Sequence, residues 1–470
     1  MKRNKIIALI LVIITLGISV AYAADIIFGS DVYFDNKNSN LSSTNVQDAI
    51  DEINEKVLLT KSCSNNVEEP KLSDGLIPVT IANDGTVTYA DTSKKWYDYC
   101  NKVWANAVIL EDGVSYNAGD TIKEDDIQSY FVWIPKYKYK LWNVDTPIEK
   151  THEIDIIFDA KDTIDVEGVS CKTPKTSGDS GNCKNGEYMT HPAFISMGVN
   201  GFWVGKFETG YKGATNVSSG RVNSRDTSKV IIKPNVYSWR GITVYNAFSA
   251  SYNYNREMNS HMIKNTEWGA VAYLSHSKYG ISKKININNN SSFKTGYSAL
   301  LSTSQHIYPG DYGDGASYNS FYNTNVGYKA STTENISGVY DMSGGTHEYT
   351  ASYVNGKQGT GGFTTATIAN YDSKYFDVYS ASSSATSYQY RILGDATGEL
   401  GPFKRYVDAD NTSRGHNGWY GEHSDFIDSS YPWFIRGGYY CYGVLASQFY
   451  FNRYTGAVDL NIGFRIVLAP

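Results

Sequence analysis

The chain has 470 residues, more than one ordinary domain holds, so two or three are expected. Lys plus Arg number 42 and Asp plus Glu 48, a net charge of −6, and without a basic excess to neutralise phosphates the composition argues against a nucleic-acid partner. Hydrophobic residues make up 41%, which excludes a disordered chain, while 39 tyrosines and only 19% charged residues suit a contact surface better than the exterior of a metabolic enzyme.

In chain order, Lys2, Arg3 and Lys5 precede an apolar run from Ile6 to Val20, and Ala21-Tyr22-Ala23 follows as a small-x-small site. Residues 1–23 therefore read as a secretory signal peptide or, if uncleaved, a membrane anchor. Either way the remainder is expected outside the cytoplasm, secreted or at the extracellular face of a bacterial membrane, touching the membrane only through this segment. Residues 24–65 form a polar linker with one short amphipathic helix. Thr44 and Gln47 are spaced as a capping box, and Val46, Ile50, Ile53 and Val57 follow at the spacing of a coiled-coil seam. Two turns of seam are not stable alone, so this helix either oligomerises the chain through residues 44–57 or docks on its own domain.

Residues 66–128 read as a small β module. Ile77-Pro-Val-Thr-Ile81 and Val87-Thr-Tyr89 flank Asn83-Asp-Gly85, a hairpin signature, and Trp96, Tyr97, Tyr99, Trp104 and Ala105 are expected as an aromatic-rich strand pair that packs the core or stacks on sugar rings. Residues 129–470 are one large, loop-rich domain. An amphipathic helix is expected from Ile242 to Asn253, with Val244, Ala247, Phe248 and Ser251 on one face. A second is expected from Thr266 to Ser275, with Trp268, Val271 and Leu274 on one side. The five cysteines are Cys63, Cys100, Cys171, Cys183 and Cys441. Cys63 with Cys100 and Cys171 with Cys183 suit two loop staples, which leaves Cys441 over; none has metal-type CxxC spacing. There is no GxSxG elbow, HExxH or phosphate-binding glycine loop, and no two of the eight histidines have metal spacing.

Five segments of the large domain, in order, carry a resemblance. They are Phe131-Val-Trp-Ile-Pro135, Phe202-Trp-Val-Gly-Lys-Phe-Glu208, Asn265-Thr-Glu-Trp268, Gly338-Val-Tyr-Asp-Met-Ser-Gly344 with His347-Glu-Tyr349, and Arg436-Gly-Gly438 to Gly463-Phe-Arg465. Together they resemble the formylglycine-generating enzyme (sulfatase-modifying factor) family. The resemblance implies an α+β, C-type-lectin-like fold of that enzyme's type over residues 129–470, preceded by the small β module and the short N-terminal helix. Read directly, Gly437-Gly438 suits a turn where a side chain would clash, Trp203, Trp239 and Trp268 suit the core, and Tyr340, Asp341 and Glu348 suit hydrogen-bonding staples.

The family's catalysis needs two cysteines just after Arg-Gly-Gly, a soft thiolate pair for copper. Here Cys441 stands alone and one position early, so the resemblance implies a non-catalytic member without copper. The family's calcium turn carries an Asn where this chain has Gly345, although Glu348 remains, so calcium stays open. The clusters Asp311-Tyr-Gly-Asp314-Gly315 and Asp408-Ala-Asp410-Asn-Thr412 offer oxygen ligands at useful spacing, but solvated turns are the expectation for both.

Residues 431–470 hold six tyrosines: Tyr431, Tyr439, Tyr440, Tyr442, Tyr450 and Tyr454. Tyrosine gives a large amphipathic contact area at low entropic cost. The placement resembles that of the variable proteins of diversity-generating retroelements, whose diversified positions lie between Arg-Gly-Gly and Gly-Phe-Arg. The expected function is an exported bacterial surface protein that binds a protein or glycan ligand through Tyr439, Tyr440, Tyr442 and Tyr454, with Asn452 and Arg453 supplying polar contacts and no resident cofactor. An oxidase of the formylglycine-generating type and a structural appendage component are the alternatives.

Overall fold

The computed structural model describes residues 32–37, 41–53, 67–144, 150–158, 183–299, 320–380, 391–401, 404–407 and 413–470. The expected signal or anchor, Val57, Cys63, Cys171 and the acidic clusters at 311–315 and 408–412 lie outside them. The chain divides into two compact units, Met1–Ser62 and Cys63–Pro470. Among the described residues no helix is long and apolar enough to cross a membrane.

In the first unit a helix covers residues 46–53. Its cap is Asn45, whose side chain accepts the Asp48 amide at 2.8 Å. The Thr44–Gln47 box does not form, because Gln47 turns its side-chain amide to Asp51 instead. Ala49 is buried, whereas Ile50 and Ile53 are 47% and 45% exposed.

The second unit is α+β, with many strands and few helices among the described residues. Its first strands are β1 (Ile77–Ile81), β2 (Val87–Tyr89), β3 (Asn106–Leu110), β4 (Thr121–Ile122), β5 (Ile127–Pro135), β6 (Gly201–Gly205) and β7 (His261–Met262). A later group comprises β8 (His347–Val354), β9 (Asp377–Tyr379), β10 (Trp433–Arg436), β11 (Phe451–Tyr454), β12 (Ile462–Phe464) and β13 (Ile466–Leu468). One antiparallel sheet runs β7-β13-β6-β5-β3-β1-β2-β4. Residues 66–128 thus share a sheet with the large domain, because β3 pairs along β5 from Asn106↔Val132 to Leu110↔Ile127. The segment from Trp96 to Ala105 folds as a tight turn, with a 3-10 helix over Tyr99–Asn101 inside an Asp98↔Val103 bridge, not as a strand pair. Asp98 causes this by accepting the amides of Cys100 and Asn101. Tyr97, Tyr99 and Trp104 are core residues.

The second sheet runs β9-β8-β10-β11, and β12 lies parallel to the first half of β8. Behind these sheets lie α1 (Val244–Tyr254) and α2 (Asn265–Ser275). Thr243 caps α1 by accepting the Asn246 amide at 3.3 Å, and Val244, Ala247, Phe248 and Ser251 are buried, the expected face. In α2 all eleven residues are buried, so no polar face survives. Trp203, Trp239 and Trp268 are wholly buried.

Three of the five segments carrying the family resemblance meet in a buried polar clamp. Arg465 forks onto Glu348 at 3.0 and 2.6 Å and gives its remaining donors to the carbonyls of Gly205 and Tyr340. Lys206 donates to Asn106 and to the carbonyls of Ile336 and Gly338, and burial holds its ammonium well below the usual lysine range. Asp341 accepts from Asn288 and the Gly296 amide. Glu208 accepts from Ser238 and Thr346. Burial, then the charges of Asp341 and Glu348, push the Glu208 carboxyl up to about 8. A buried charge is tolerated only when its hydrogen bonds are complete, and each of these groups has its bonds inside the protein.

Candidate functional site

The closing tyrosines are carried by a loop pinned at both ends. Gly437 and Gly438 take φ of +82° and +88°, and a Cβ on Gly438 would stand 2.7 Å from that of Ala446, so the expected glycine turn is required there. Arg436, just before it, is fully buried and bonds to Asn265 and to the carbonyls of Asp395 and Ala396. The loop then bonds Tyr440 N to Gly345 O and winds through a 3-10 turn at Gly443–Leu445. At its far end Gln448 is tied to Lys283, Ile285 and Trp268. A rigid loop loses little entropy on binding.

This loop, β11 and the segment before β12 surround a cleft of about 280 Å³. It is bordered by Tyr439, Cys441 and Tyr442 from the loop, by Asn452, Arg453 and Tyr454 from β11, and by Ile435, His347, Asp459, Asn461 and Ile462. Five of the six expected contact residues therefore border one cavity, with Tyr440 as the exception. Its ring packs edge-on against Phe293 at 4.9 Å, which in turn carries the buried Arg240 guanidinium 3.7 Å above its face.

Strand alternation decides what β11 offers. Ile435 pairs with Asn452 across β10 and β11, and Phe434 pairs with Arg453. Directly opposed residues share a face, and successive residues alternate. Asn452, Tyr454 and Ile435 therefore share the cleft face, and the Arg453 side chain belongs to the reverse one. There its guanidinium pairs with Asp428 and lies 5.4 Å over the Tyr431 ring, so its charge is already engaged.

His347 forms the floor. Its ring lies nearly parallel to Tyr439 at 5.7 Å and meets Tyr442 and Tyr450 at 5.2 and 5.3 Å. Burial, then the charge of His423, holds its pKa down to about 3, so the ring is neutral; its Nδ1 is buried with no hydrogen-bond partner among the described residues. Asp459 forms one wall. It accepts the Asn461 amide at 2.8 Å and the Tyr454 hydroxyl at 2.9 Å. Burial, then Cys441 and Asp459, push the Tyr442 phenol up to about 12. Tyr454 also rises to about 12, through burial, its hydrogen bond to Asp459 and that charge. Both phenols stay protonated at neutral pH.

Neither His347 nor Asp459 stood out in the sequence. His347 looked like a replacement within a family motif, and Asp459 was one acid among 48 Asp and Glu. The available signal was their place beside the framing motifs.

The metals implied by the family resemblance do not fit these residues. Cys441 is a free thiol that burial pushes up to about 11, whereas a copper site needs a pair of thiolates, and no second cysteine among the described residues borders the cleft. Cys100 and Cys183 are each in a disulfide; their expected partners Cys63 and Cys171 lie outside the described residues. The carboxylate of Glu348 is engaged by Arg465 through both oxygens. At Gly345 a Cβ would approach Glu208 Oε1 to 2.8 Å, so the family's Asn side chain has no room. No group of three or more His, Cys, Asp or Glu that could hold a metal ion occurs among the described residues.

No family model and no curated protein matches the chain. Among solved structures it is similar to a chain described as "Major Tropism Determinant I1 Variant", at 10% identity and a TM-score of 0.26, covering 87% of this chain and 97% of that one. A TM-score that low carries no argument about fold or function.

Proposed function

We propose that this chain is an exported bacterial surface protein that binds a ligand in the tyrosine-lined cleft. Its scaffold is a C-type-lectin-like fold of the formylglycine-generating-enzyme type, put to recognition and not to oxidation. The observation that carries the binding reading is the convergence of Tyr439, Tyr442, Asn452 and Tyr454 on one cavity. They stand on a pinned loop and a paired strand, and aromatic and polar side chains held over a rigid scaffold are what recognition requires. The scaffold reading rests on the five motif segments. Two of them close on each other through the Arg465–Glu348 pair, and Arg436 packs over Trp268.

The test is panning of the purified full chain against a random-peptide phage library, with a glycan array in parallel. Peptides or glycans captured by the natural chain should be lost by Tyr439→Ala/Tyr454→Ala, with the melting temperature lowered by only a few degrees. Capture that survives the double change places the site elsewhere. The exposed Ile50 and Ile53 support a further role for residues 44–57 in oligomerisation. A chain lacking residues 24–65 should then sediment as a smaller species, and an unchanged sedimentation coefficient would contradict that role.

A further inference from the structure

The volume, charge and rim of the cleft narrow its ligand. At about 280 Å³ it falls just below the roughly 300–1,000 Å³ of pockets that enclose drug-sized molecules. It has room for one long side chain. Of the groups on its border, Arg453 is neutralised by Asp428, and His347, Tyr442, Tyr454 and Cys441 are neutral. Asp459 has no cationic partner among the described residues, and its hydrogen bonds from Asn461 and Tyr454 orient it. An ionised carboxylate has about four acceptor positions, so two remain for a ligand. His347, 7% exposed, has no hydrogen-bond partner for its buried Nδ1 among the described residues.

Val458 and Leu460, on either side of Asp459 in the chain, are 44% and 48% exposed. A polar point with exposed apolar side chains on both sides of it in the chain matches a protein surface better than a free solute.

Building on the reading of this cleft as a binding site, we propose that it takes a lysine or arginine side chain of a protein partner, held against Asp459 and walled by Tyr439, Tyr442 and Tyr454. Aromatic faces attract such cations, and a charge-assisted hydrogen bond to Asp459 anchors the head group. The exposed Val458 and Leu460 meet the partner's apolar surface. The buried Arg240 is outside the border and spends its donors on the carbonyls of Val217 and Leu460.

The test is saturation-transfer NMR on the full chain with Nα-acetyl methylamides of lysine, arginine, norleucine and glutamate. Lysine and arginine derivatives should bind about tenfold more tightly than norleucine, the glutamate derivative should not bind, and added salt should weaken the cations alone. Asp459→Asn, which keeps one side-chain oxygen for Asn461 and Tyr454, should reduce lysine to the norleucine level without lowering the melting temperature by more than a few degrees. Equal binding of lysine and norleucine, or lysine binding unchanged in Asp459→Asn, would overturn the cation while leaving the cleft a binding site. If no derivative binds at its solubility limit, the cleft is not a side-chain pocket and the proposal falls. Peptides captured by panning through Tyr439 and Tyr454 that contain no lysine or arginine would overturn it too, while upholding the site.

Discussion

Strand β8 separates two polar regions of opposite character. His347 and Glu348 are neighbours on it, yet alternation sends one to the cleft and the other to the clamp. The Glu348 carboxylate is paired through both oxygens with Arg465, whose other donors end on backbone carbonyls. His347 has no hydrogen-bond partner for its buried Nδ1, and Asp459 across the cleft has no counter-charge among the described residues. Both regions draw on carboxylates and rings. They differ in whether the polar groups find their partners within the chain, and that separates a structural network from a surface awaiting another molecule.

The largest expected effect falls on the clamp. Glu348→Ala leaves a buried guanidinium uncompensated and should cost about 3–5 kcal/mol of stability in urea titration. A cost near zero would mean the clamp is no stronger than a surface pair.

The next is its pH dependence. Glu208 is raised from 4.5 to about 8, so the folded state holds a proton there that the unfolded state releases between those values. Its contribution is fully present below about pH 4.5 and is lost as pH rises towards 8, on the order of 5 kcal/mol. Glu208→Gln should flatten that alkaline limb. His191 and His347, lowered to about 3, and His276, lowered to about 4, act with the opposite sign. Their contribution is present above about pH 6.5 and is lost on acidification. Thermal melts from pH 4 to 9 on both proteins check the two limbs.

At the hinge between the regions, Gly438→Ala should cost about 2 kcal/mol through positive φ and the clash with Ala446, measured by denaturant midpoint. The smallest change belongs to the cleft. Tyr454→Phe loses one hydrogen bond to Asp459 and should cost about 0.5–1.5 kcal/mol. A larger loss would move Tyr454 from the recognition surface into the structural network.

Much of this was legible in the sequence where local chemistry decides the outcome. The β1–β2 hairpin, the Thr243-headed helix, the Gly437-Gly438 turn and the tyrosine segment follow from residue types and short spacings. What escaped depends on distant partners. The three apolar positions read for α2 suggest one buried side, but strands and loops from both sheets close around it. The join of residues 66–128 to the main sheet rests on β3–β5 pairing, which no local pattern reports. Arg453 looked like a ligand contact because the period of β11 is hidden among alternating large and small residues. Its face becomes readable only once the register with β10 is known. His347 acquires its role from three tyrosines about 90 residues downstream.

Amide hydrogen exchange on the full chain, with and without a peptide or glycan captured by panning, tests the division most directly. Slowed exchange should be confined to residues 439–442 and 452–461, with β8 and the segments around Arg465 unchanged. Protection centred on β1–β4, or spread through the clamp, would contradict the account.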